Sequence, residues 1–180
     1  MYEGAFSLLI SGFCTNLLIV ACASLLPLII GAIVVFPQLG GSAAEPHPAW
    51  GLIECVAPIP LLLWLFYIEP DSSANVMVIL VLSVCHLGFI PRHIRGTYSV
   101  RRFILCAVDL LSTLFKWSMI AGFVAGLDLV RAAGVIHGRI YTPDAYAYAL
   151  GLSVAFLLLL QGLRYVLSRI LKTDDAENPR

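Results

Sequence analysis

GAFSLLISGFCTNLLIVACASLLPLIIGAIVVF, residues 4–36, decides the fold. It carries no charge, and the uncharged run continues to Ala44. About 20 apolar residues cross a bilayer as a helix, so this stretch is long enough to span with tilt or with a kink at Pro27. A cleaved leader would need a basic start, a short apolar run and a small-residue cleavage site. Ala21-Cys22-Ala23 supplies the small residues, but no Lys or Arg precedes it and Leu25 to Phe36 stays apolar. The segment is therefore expected to remain as a membrane helix.

The rest of the chain has the same character. Of 180 residues 60% are hydrophobic and 12% charged, with a mean hydropathy of +0.93. Soluble domains carry about 25% charged residues, so the apolar excess here has no place in water. Basic and acidic residues balance at eleven each, which argues against a nucleic-acid partner. After the first span (5–36), apolar stretches recur at 50–68, 74–90, 103–127 and 146–167. The stretch 74–90 is expected to stop at Pro91, and 146–167 is entered through Thr142-Pro143-Asp144, whose side chains can cap a helix. No strand alternation occurs, and lipid admits only helices or closed barrels. The expectation is an all-α polytopic bundle over residues 1–171 with a short charged tail, 172–180. Five spans are counted if 50–68 crosses. The alternative is four spans with 50–68 re-entrant or interfacial, because Pro58 and Pro60 interrupt it and Glu54 lies inside it.

Arg92, Arg95, Arg101 and Arg102 share one loop, while Arg164, Arg169, Lys172 and Arg180 cluster at the C-terminal end. Both groups are expected on the cytoplasmic side of a bacterial inner (plasma) membrane, with two helices between them. Five spans would put the N-terminus outside, and four would put it inside.

Motifs for chemistry are absent. Cys14, Cys22, Cys55, Cys85 and Cys106 form no Cys-x-x-Cys pair and read as small hydrophobes. His86 and His137 sit at different depths, so a bis-histidine haem is not expected. No metal-ligand motif, phosphate loop or nucleophile elbow occurs, and no catalytic residue or cofactor is assigned.

Small residues give packing information. Ser7, Ser11 and Thr15 repeat every four positions on the first helix, and Gly122-x-x-x-Gly126 recurs on the fourth. Such stripes let helix backbones approach closely in lipid. The most informative constellation is Asp109, Ser112, Thr113 and Lys116, spaced i, i+3, i+4 and i+7 along one helix face. Counted over 103–127, Lys116 stands near the bilayer centre, where an unpaired charge costs at least ~2.5–3.5 kcal/mol, so this face is expected to turn inward. Glu54, His86, Asp109, Gln161 and Arg164 fall at one depth in the cytoplasmic third. They form either a buried polar knot that fixes helix register or a polar cavity for a proton, an ion or a headgroup.

Three function classes follow. The first is a non-catalytic subunit or accessory protein of a larger membrane assembly, with a membrane-protein partner or a second copy of itself. The second is a small carrier or channel that uses the polar layer. The third is an intramembrane enzyme acting on lipid or quinone. Minimal loops and the lack of an internal repeat give little apparatus for alternating access, which favours the first.

Overall fold

The computed structural model describes residues 3–41, 72–94, 98–122, 128–140 and 143–177. Helix α1 (Glu3–Val35) ends in a single 3-10 turn, Phe36–Gln38. There follow α2 (Ser72–Cys85), α3 (Phe89–His93), α4 (Val100–Gly122), α5 (Leu129–Ile140) and α6 (Asp144–Glu177). Among the described residues there is no strand, and the chain is an all-α bundle. Among the described residues, four stretches are long and apolar enough to cross a membrane: Gly4–Gln38, Asn75–His93, Val100–Ile120 and Asp144–Leu171. The stretch 50–68, with Glu54 in it, and Gly126 lie outside the described residues.

α1 is the hub, packing against α2, α4 and α5 and touching α6. Its neighbours fix the directions of the helices. Asn75 of α2 lines one cavity with Ser11 and Thr15 of α1, Ser83 of α2 meets Ala23, and Ile90 of α3 meets Gly31, so α1 runs parallel to α2 and its continuation in α3. Phe36 lies 5.2 Å from Phe103 and Phe13 lies 6.1 Å from Phe115, so α4 runs antiparallel to α1. α6 reverses again: Arg101 donates to the Ser168 carbonyl, and the Phe115 and Phe156 rings meet, tilted, with centroids 4.6 Å apart. Phe13, Phe115 and Phe156 thus join three helices in mid-bundle, with Leu110, Leu114 and Phe115 wholly buried beside α1.

Pro27 lies inside one continuous helix, as the sequence leads one to expect, whereas Pro91 departs from expectation. Pro27 does not break α1, which continues for two more turns. A proline at this position leaves the carbonyl of Ala23, four residues earlier, without its helical donor. The Ser83 hydroxyl of α2 stands 3.1 Å from that carbonyl, and 2.7 Å from its own Ile79 carbonyl. The neighbouring helix therefore offers this carbonyl a shared donor, since the single Ser83 proton serves both acceptors. Pro91 does not end its helix either. The chain breaks at Gly88 instead and restarts as α3, which puts Pro91 in a first turn where N–H groups have no intrahelical acceptor.

The bundle has two distinct ends. At one, the arginine end, Gly40 N–H donates to Tyr98 O and Tyr98 N–H donates to Gly41 O, both at 3.0 Å. Arg101, Arg164 and Arg169 lie there on α4 and α6. At the other, the aspartate end, the start of α5 presses against the first half of α1. An ideal Cβ on Gly12 would stand 2.8 Å from the Asp128 carbonyl oxygen, so a glycine is required at this crossing.

Candidate functional site

At the arginine end, Arg164 Nε donates to Asp109 Oδ1 at 2.8 Å. Both side chains are partly exposed, at 47% and 32%, so the pair sits on the flank of the bundle. Thr113 Oγ1 donates to the Asp109 carbonyl and Ser112 Oγ to the Val108 carbonyl, which ties both hydroxyls to their own helix. His86 is buried, with Nδ1 2.9 Å from the Leu82 carbonyl. Gln161 and Lys116 are exposed. Of the residues expected at this depth, the structure joins Asp109 to Arg164, and Glu54 lies outside the described residues.

The expectation that the Asp109–Lys116 face turns inward is corrected. The inward face of α4 is taken by Cys106, Leu110 and Leu114, all buried. Consecutive helix positions differ by about 100°, so Asp109 and Thr113 fall on the rim and only Ser112 reaches the core. Among the described residues the apolar stretch of α4 is Val100–Ile120, and Lys116 on it is exposed.

The small-residue stripes also resolve. Ser7 and Ser11 are exposed and Thr15 half-buried, its hydroxyl donating to the Ser11 carbonyl at 3.0 Å. Ser11 and Thr15 line a cavity instead of a close helix crossing. Gly122 closes α4. The tight crossings use Gly12, and Gly31, whose Cβ position lies 2.8 Å from Ile90.

The aspartate end holds the polar cluster that no reading of the sequence brings together. Asp128 is 1% exposed and Asn16 is fully buried. Asp128 Oδ1 accepts from the Arg131 N–H at 3.0 Å, the bond of an N-cap aspartate, and Asn16 Oδ1 accepts from the Leu129 N–H at 3.5 Å. Asp128 Oδ2 and Asn16 Nδ2 are buried without a hydrogen-bond partner. Burial pushes the Asp128 carboxyl up to about 6, against the opposing pull of the α5 N–H groups and of the Arg131 charge. Beside it opens a cavity of about 310 Å³ lined by Leu8, Ser11, Gly12, Thr15, Asn75, Asp128, Arg131, Ala132 and Val135. Two signals in the sequence point toward it: Asp128 immediately before a helical run, and Asn16 following Thr15 inside an otherwise apolar helix.

Among the described residues no group of three His, Cys, Asp or Glu side chains could hold a metal ion. No protein family, curated protein or solved structure matches the chain.

Proposed function

We propose that this is a small multi-pass protein of the bacterial inner membrane that serves as a non-catalytic subunit or accessory protein of a larger membrane assembly. The observation that carries this reading is the state of α6. Only 11% of its apolar stretch is buried inside the bundle, against 56% for Asn75–His93 and 39% for each of the other two spans. On its open side Ala147, Gly151 and Ala155 follow one another at four-residue spacing, all exposed. Nothing lies within 4 Å of a Cβ added to Gly151, so none of the described residues uses this glycine for close packing. Lipid tails gain nothing from small side chains, whereas a second helix approaches closely over them. The open face of α6 is accordingly the surface at which a partner helix docks.

The orientation follows from the basic residues, with the arginine end cytoplasmic and the aspartate end outside. The parallel run of α1 and α2 supports the five-span count, since the chain leaves α1 at the arginine end and enters α2 at the other.

The test is purification in mild detergent of the wild type and of Gly151→Leu. The wild type should retain a stoichiometric membrane protein, and the variant should fold with unchanged thermal stability but lose it. A wild type that purifies alone, or a variant that keeps its partner, contradicts the reading.

A further inference from the structure

The cavity at the aspartate end lies away from the open face of α6 and needs no assembly partner to exist. Its volume of about 310 Å³ is that of a small-molecule site. Arg131 belongs to its wall, and the Asp128 carboxylate lies buried behind it. Asp128 spends one carboxylate oxygen on capping α5 and keeps Oδ2 without a partner at 1% residue exposure. Arg131 lines the same cavity, half-buried, and its guanidinium forms no ion pair with Asp128. Between them stand the Ser11 and Thr15 hydroxyls and the Asn75 carboxamide, and Leu8, Ala132 and Val135 form an aliphatic side.

That arrangement selects by charge. An anion alone would meet the carboxylate that already occupies the start of α5. A cation alone would meet Arg131. A bare metal ion finds too few hard anionic ligands. A molecule carrying both charges answers both groups at once, and its short carbon link fits the aliphatic side. We propose that this cavity binds a small zwitterion, with its ammonium group toward Asp128 and its anionic oxo group toward Arg131. A free amino acid and the phosphoethanolamine headgroup of a membrane lipid share this chemistry.

The experiment measures thermal stability of the full-length protein in detergent while titrating O-phosphoethanolamine or alanine, with inorganic phosphate and methylamine as single-charge controls. One zwitterion should stabilise saturably and bind at least tenfold more tightly than either control. Asp128→Asn keeps the helix cap and removes the charge, and Arg131→Gln removes the opposite charge; each should weaken binding at least tenfold. If a lipid is the source, delipidated protein should regain stability in nanodiscs of phosphatidylethanolamine but not of phosphatidylcholine, with the same dependence on both side chains. The proposal is overturned if no zwitterion stabilises the protein, if the controls bind equally well, or if the variants bind like wild type. Should Asp128→Asn fail to fold, Arg131→Gln decides alone.

Discussion

Single residues close the gaps that a lipid environment would otherwise penalise. Ser83 is the clearest case, because Pro27 orphans the Ala23 carbonyl and only a donor from outside α1 can reach it. Ser83→Ala should lower stability in detergent by about 1–2 kcal/mol, the cost of an unsatisfied buried acceptor. Ser24→Ala, whose hydroxyl donates to Ala21 within its own helix, should cost less than half as much. Equal effects in thermal unfolding would remove Ser83 from this role. Asp128 gives a prediction of opposite character. Its folded carboxyl titrates near 6 against an ordinary value of 3.8, so the folded state holds the proton more tightly than the unfolded chain. Its contribution to stability is therefore largest below about pH 4 and falls as pH rises through 6, by on the order of 3 kcal/mol. Measured as the difference between wild type and Asp128→Asn, stability should decline over that window. A flat or rising difference would contradict the burial argument.

At the scale of helices, the parallel run of α1 and α2 has a direct consequence for sidedness. Gly41 and Ser99 lie at the arginine end, joined through the Gly40–Tyr98–Gly41 hydrogen bonds. Asn75 and Gly138 belong to the other end, around α5. Cysteines at Gly41 and Ser99 should resist an impermeant reagent applied to intact cells, while cysteines at Asn75 and Gly138 should be labelled. Labelling of Gly41 without Ser99 would contradict these helix directions.

Much of this scale is legible from hydropathy alone, because an apolar run of 20 residues has few alternatives. Helix ends and helix faces are less legible. Pro91 reads as a stop only if its helix starts upstream, and the restart at Gly88 removes the conflict. The Asp109–Lys116 stripe reads as inward because it is polar, yet helical period fixes only which residues share a face. Which face turns inward is settled by the competing row of Cys106, Leu110 and Leu114. The cluster of Asn16 and Asp128 depends on a contact across more than a hundred residues, and no local pattern encodes it.

For the whole molecule the notable asymmetry is between α1, which touches every other helix of the bundle, and α6, left largely uncovered. A bundle complete in itself would have no use for a glycine at position 151, since glycine weakens a helix by roughly 0.8–1 kcal/mol relative to alanine. The subunit reading gives that glycine a purpose, and it can be tested in native membranes whatever the partner is. A photo-crosslinking side chain placed at Ala155 probes the open face of α6, and one placed at Leu80, 53% exposed on α2, probes a surface with no small-residue row. Irradiation should yield a discrete protein adduct from position 155 and only lipid adducts from position 80. Lipid adducts alone at both positions would contradict the assignment of this protein as a membrane-assembly subunit.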